Sequence, residues 1–151
     1  MDKTFKADLE DGKWAETLFS KTAQNTLGAT DIEFNNSKDV AVLREWDIRL
    51  TTKNGDVRTF EVKWDKRSTD TGNFAIEFFG RSSASGIEAT KADYWVILSD
   101  NKFYIFSTAE LKKLIRNNPF RSLCIGNGTA YVYLIPIAKA KEIARIIDLN
   151  N

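Results

Sequence analysis

Apolar and polar positions alternate strictly in two runs near the middle of the chain. Trp46-Asp47-Ile48-Arg49-Leu50 places an apolar residue at every second position, and Phe60-Glu61-Val62-Lys63 does the same. Period two marks a strand with one buried face. Lys53-Asn54-Gly55-Asp56 lies between the runs as a turn, so they predict a β-hairpin within residues 42–65. A two-residue turn at Asn54-Gly55 would set Ile48 against Glu61, an apolar residue opposite a charge. A three-residue loop, Lys53 to Gly55 with Gly55 left-handed in a bulge, pairs Trp46 with Val62 and Ile48 with Phe60. Only the second register makes one face wholly apolar, and a one-residue slip would destroy that face. It also sets Asp47 directly opposite Glu61, with Lys63 next to both.

The flanking segments follow other periods. Leu9, Trp14, Leu18 and Phe19 recur at helical spacing and predict a helix over 8–24, stopped by Gly28. Glu16 then sits at the edge of the buried stripe or beyond it. Ala29 to Phe34 predicts a short strand before a polar turn, and Phe74 to Phe79 a third strand. Gly80 to Gly86 reads as a mobile loop whose N–H groups and Arg81 could meet phosphates. The nearly continuous apolar run Tyr94 to Leu98 predicts a central strand buried on both faces, with Phe103 to Phe106 returning beside it. Thr108 is placed as the cap of a helix from Ala109 to Arg116. Residues 122–125 and 130–135 flank Gly126-Asn127-Gly128 as a second hairpin, and Pro136 opens a last helix running to about Ile147. The order predicts an α/β chain of the mixed α+β kind, a mixed sheet flanked by helices in one domain over residues 1–151.

Composition narrows the chemistry. The chain has 151 residues, 42% hydrophobic and 28% charged, enough to bury a core without disulfides or structural zinc. A net charge of +1 provides no global attraction for a polyanion, so any nucleic-acid surface has to be a local patch. The single cysteine, Cys124, excludes an internal disulfide and fits a reducing compartment. With no signal peptide or membrane-length apolar run, the expectation is a cytoplasmic protein with no membrane partner. Histidine is absent, which removes Ser-His-Asp and Cys-His hydrolases and His-ligated zinc enzymes. A hydrolase built from this alphabet has to use carboxylates, lysine and an oxygen-loving metal. Facing carboxylates at Asp47 and Glu61 suit Mg²⁺ or Mn²⁺, and the Lys63 ammonium can orient or help deprotonate a water. The plain alternative is a solvated hairpin face carrying an ordinary ion pair.

The set Glu16, Asp47 and Glu61-Val62-Lys63 resembles the PD-(D/E)xK nuclease superfamily, with a helical glutamate, a strand aspartate and an ExK triplet on the next strand. Thr71-Gly72-Asn73-Phe74-Ala75-Ile76-Glu77, Ser85-Gly86-Ile87 and Thr90-Lys91-Ala92-Asp93-Tyr94-Trp95 look similar to small viral and prokaryotic members, including Holliday-junction-resolvase-like ones. The likeness covers roughly residues 12–107 and departs at Trp46, which stands where the motif's proline would be. It implies a restriction-endonuclease-like fold and metal-dependent hydrolysis of DNA phosphodiester bonds. By the same resemblance Asp47, Glu61 and the Val62 carbonyl hold Mg²⁺, with Mn²⁺ as a substitute, and Glu16 holds a second metal or an outer-shell water. Lys63 positions the attacking water.

Lys66, Arg67, Arg81 and Lys91 bracket these residues and are the candidate DNA phosphate contacts. Lys112, Lys113, Arg116 and Arg121 form a second basic cluster, expected as a solvated helix face. Three enzymes remain open: a junction resolvase acting as a homodimer, a restriction or homing endonuclease reading bases in the major groove, and a nicking or repair nuclease acting alone. The chain's length slightly favours a structure-selective dimer. The rival outside the class is a catalytically silent DNA-binding or assembly module, whose mark would be a missing acid or lysine. None is missing.

Overall fold

Small and aromatic residues at four-residue spacing bind the first helix to a sheet. The computed structural model describes residues 3–150, with side chains from Glu10 to Asn150; Leu9, placed in the predicted apolar stripe, has its side chain outside the described residues. Helix α1 (Lys3–Thr26) leads into β1 (Ala29–Phe34), the one-turn α2 (Val40–Leu43), and the hairpin β2 (Ile48–Thr52) and β3 (Val57–Trp64). A short α3 (Ser68–Thr71) precedes β4 (Asn73–Gly80), β5 (Ser83–Ala84), β6 (Tyr94–Ser99) and β7 (Lys102–Ser107). After α4 (Thr108–Arg116) come β8 (Ser122–Ile125), β9 (Ala130–Pro136), the short α5 (Ile137–Ala140) and β10 (Arg145–Asp148).

The strands form two sheets, β1-β2-β3-β6-β7-β10 and β5-β4-β9-β8. The first is mixed, because β3 and β6 run parallel while their other neighbours are antiparallel. On one of its faces Ala15, Phe19 and Ala23 of α1 pack against Ile48, Leu50, Phe60, Val62, Val96, Leu98, Phe103 and Ile105. The two alanines let the helix approach closely, and the Phe19 ring fills the space, 5.2 Å from both Phe60 and Phe103. On the opposite face Trp95, Ile97, Tyr104 and Phe106 meet Phe74, Ile76 and Ile135 of the second sheet, with Leu111 and Ile115 of α4. β6 is therefore buried on both sides, as its unbroken apolar run predicts. Lys113, Arg116 and Arg121 of the second basic cluster are exposed and Lys112 is half-buried, while Leu111 and Ile115 face inward. Among the described residues no helix is long and apolar enough to cross a membrane.

Several expectations are corrected. One sheet was expected and two form. Asp65 turns the chain out of the first sheet, accepting the Ser68 N–H at 3.1 Å and the Ala75 N–H at 2.9 Å. Residues 137–148 are not one helix: α5 ends after a turn, and the β-branched Ile146-Ile147 pair with β7, covering an edge that would otherwise stand open. Ser107, not Thr108, caps α4 by accepting the Glu110 N–H. Trp14 is 51% exposed rather than part of the buried stripe, which runs through Ala15 instead. The Gly80 to Gly86 segment is a hydrogen-bonded hairpin rather than an open loop. Gly80 pairs with Ser83 across a turn in which Arg81 and Ser82 take positive φ, and the Ser85 N–H reaches the Phe78 carbonyl.

Gly86 closes that segment at φ +52°, where a Cβ would lie 2.1 Å from the Glu77 carbonyl oxygen. Gly12, inside α1, has nothing within 4 Å of a Cβ. Gly86→Ala should therefore destabilise by about 2 kcal/mol or more, combining left-handed strain with backbone collision. Gly12→Ala should stabilise by about 0.5–1 kcal/mol through helix propensity. Urea unfolding of the two variants checks the pair, and equal midpoints would contradict it.

Candidate active site

The hairpin register places the site and then breaks at it. Ile48 pairs with Phe60, Leu50 with Arg58 and Thr51 with Val57, the register chosen by the apolar face. The loop is the three-residue one, with the Gly55 N–H bonded to the Thr52 carbonyl at 3.0 Å and Gly55 at φ +82°. The ladder stops at Ile48, so the expected pairings of Trp46 with Val62 and of Asp47 with Glu61 do not form. The Asp47 N–H donates to the Phe60 carbonyl at 2.9 Å, so Asp47 and Ile48 both face Phe60 in a β-bulge. Residues 42–47 are accordingly not strand. The Trp46 carbonyl accepts from the Asn35 side chain at 2.8 Å. The Val62 N–H, left without that carbonyl, donates to Asp47 Oδ2 at 2.8 Å.

Around this bond the predicted residues come together. Asp47 lies within hydrogen-bonding reach of both Glu61 and Glu16, so α1, the bulge and β3 each supply one carboxyl group. Glu61 is only 8% exposed; its Oε1 accepts from the Thr90 hydroxyl at 3.1 Å and its Oε2 lies 3.5 Å from Lys63 Nζ. The Lys63 ammonium also lies 5.6 Å from the centre of the Trp95 ring. Burial and the Glu61 charge push the Asp47 carboxyl up to about 8, against a partial offset from Lys63 and the Val62 N–H. Burial, then the Glu61 charge, raises Glu16 as well. For Lys63, burial pulls downward, but Glu61, Asp47 and Glu77 together outweigh it and raise the ammonium. Lys63 thus stays charged at neutral pH and can orient a water but not take its proton.

The candidate phosphate contacts divide. Lys66 is tied to Asp11 and lies 4.4 Å from the Trp64 ring, and Lys91 pairs with Glu45 at 3.2 Å. Arg67 and Arg81 are exposed, with no ion pair among the described residues. Two supporting residues stand within the phrases that carry the resemblance but have no role assigned to them there. Thr90, 7% exposed, fixes Glu61 and also reaches the Glu45 carbonyl. Glu77 comes from the second sheet, anchored by the Ser85 hydroxyl at 2.8 Å, and its charge acts on Lys63. No periodicity marks either; only the three-dimensional crossing brings them to the site.

The donor set fits a hard divalent cation in kind and in charge. Once fully ionised, three carboxylates against one ammonium carry two net negative charges, and every donor is oxygen. Among the described residues, no three acidic, thiol or imidazole groups are arranged to hold an ion between them. Asp47 is turned to the Val62 amide, and Glu61 to Thr90 and Lys63. Binding therefore requires carboxyl rotation.

The raised carboxyls set a pH dependence. The folded Asp47 holds its proton up to about 8 while the unfolded chain releases it near 3.8, so metal-free stability falls as pH rises through that window. Asp47 alone contributes a slope of at most about 1.4 kcal/mol per pH unit. Asp47→Asn keeps an acceptor for the Val62 amide and loses the charge. It should flatten this fall and be at least as stable as wild type at pH 8. Denaturant melts from pH 4 to 8 check this; parallel curves would contradict it.

No protein-family model matches the chain, and no curated protein matches its sequence.

Proposed function

We propose that this chain is a divalent-metal-dependent endonuclease of the PD-(D/E)xK type, hydrolysing DNA phosphodiester bonds from a restriction-endonuclease-like core. The observation that carries the reading is the convergence of Glu16, Asp47 and Glu61 from separate elements beside Lys63, a set that carries two net negative charges once fully ionised. Asp47, Glu61 and the Val62 carbonyl would hold Mg²⁺, or Mn²⁺ in its place, with Glu16 serving a second ion or its water. A cation held there would supply charge neutralisation at the scissile phosphate and a more acidic water.

The chain's own residues do the positioning. Thr90 and Lys63 hold the two oxygens of Glu61, which fixes its rotamer. Lys63, kept protonated, donates to the attacking water and holds it in line. Asp47 must release its proton before it can serve as a ligand, so metal competes with that proton and the metal requirement should fall as pH rises. Arg67 and Arg81 are the cations available to approaching phosphates, and a structure-selective homodimer remains the favoured form of the enzyme.

Plasmid, four-way junction and single-stranded DNA, each with Mg²⁺ and with EDTA, test the reading. Asp47→Asn, Glu61→Gln and Lys63→Ala should each cut cleavage by about 100-fold or more while staying folded, and combining them should add little. Glu16→Gln should raise the Mg²⁺ needed for half-maximal rate before it lowers that rate. Wild-type cleavage from any of the first three variants overturns the assignment, and DNA binding without cleavage under every condition would make the chain a silent binding module.

A further inference from the structure

Trp14 is exposed where its sequence pattern placed it in the core. It is not loose, because its ring stacks on Trp64 with centroids 4.7 Å apart and planes 31° apart. Trp64 is in turn held by the Lys66 ammonium, 4.4 Å from its centre, and Asp11, one turn of α1 before Trp14, fixes Lys66. Two indoles, an ammonium and a carboxylate thus form a braced platform, with half of the Trp14 surface bare to solvent. The platform lies beside the candidate site rather than in it. Trp64 follows Lys63 on β3 but faces α1, whereas Lys63 faces Trp95 on the other side of the sheet. Trp14 and Glu16 lie on opposite flanks of α1, about one helix width of 10 Å apart. Two exposed cations flank the platform in sequence. Lys13 precedes Trp14 on α1, and Arg67 lies three residues after Trp64, beyond Asp65 and the Lys66 that Asp11 holds.

We propose that Trp14, backed by Trp64, is a stacking platform for an unpaired nucleobase a few nucleotides from the phosphate that is cut. The inference rests on the nuclease reading and narrows it to DNA with single-stranded character: a free strand, a flap or a branch point. Bases in a continuous duplex are already stacked on their neighbours and offer no open face, whereas an unpaired base stacks on an indole whatever its sequence. The flanking cations suit the phosphates of such a strand. Trp14 therefore selects substrate and touches no reacting atom.

The test uses the full chain in Ca²⁺ or EDTA, with a fluorescein-labelled oligo(dT) and a blunt duplex of equal length. Wild type should bind the single strand more tightly than the duplex, with quenched tryptophan emission. Trp14→Ala should weaken single-strand binding by about tenfold or more and duplex binding far less. Trp14→Phe should restore affinity, because the stack survives, but not the quenching; Trp14 is the wild type's most exposed indole among the described residues. Unchanged single-strand affinity in Trp14→Ala, with cleavage intact, overturns this inference and leaves the nuclease reading standing. Binding of no nucleic acid at all overturns both. A self-association lost in Trp14→Ala, with DNA affinity unaltered, would make the platform a contact between copies and likewise overturn it.

Discussion

The Val62 amide donates to a carboxylate where an uninterrupted ladder would offer it a carbonyl. That substitution places Asp47 against β3 and fixes the geometry of everything near it. The bulge at Asp47 and Ile48 frees the amide, and the Asn35 side chain takes the Trp46 carbonyl that would have competed. A polar bond this close to the core holds only because β3 cannot slide. β3 is paired on both edges, with β2 and with β6, and packed by α1 on one face. Glu16, Glu61 and Lys63 consequently stand on rigid elements, and the Val62 amide ties Asp47 to one of them.

The same rigidity makes the site costly to the fold. Glu16, Asp47 and Glu61 are drawn together partly out of water with one lysine among them, so burial and mutual repulsion act in the same direction on Asp47 and Glu16. The apolar contacts of Phe19, Phe60 and Val62 behind the site supply the compensating stabilisation. Thr90 and Glu77 extend this arrangement. One arrives from the segment before β6 and the other from the second sheet, so both layers of the fold converge on Glu61 and Lys63.

Local chemistry made part of this legible in the sequence. An apolar face admits only one register, so the pairing of Ile48 with Phe60 and the left-handed Gly55 could be read from alternation and turn composition. The unbroken run in β6 announced its double burial. The bulge could not be read, because it depends on Asn35, a residue outside the hairpin, capturing a carbonyl. Nor could the second sheet, which starts from the Asp65 side chain bonding backbone on both sides of α3. Ile143 to Ile147 has spacing that suits a helix as well as a strand, and only the open edge of β7 decides between them. Trp14 misled for a related reason: helical spacing fixes which residues share a stripe but not where the stripe's edge meets solvent.

As proposed, Asp47 and Glu61 share one cation site, and without metal the protein tolerates the repulsion between them. Thermal melts of wild type and Asp47→Asn, each in EDTA and in millimolar Mg²⁺ or Mn²⁺, address it most directly. A ligand that binds the native state at about 100 times its dissociation constant stabilises by about 2.7 kcal/mol. The melting temperature should rise by several degrees with metal in wild type and barely move in Asp47→Asn. If the variant melts well below wild type in EDTA and both respond equally to metal, Asp47 is a structural aspartate and the carboxylates share no site.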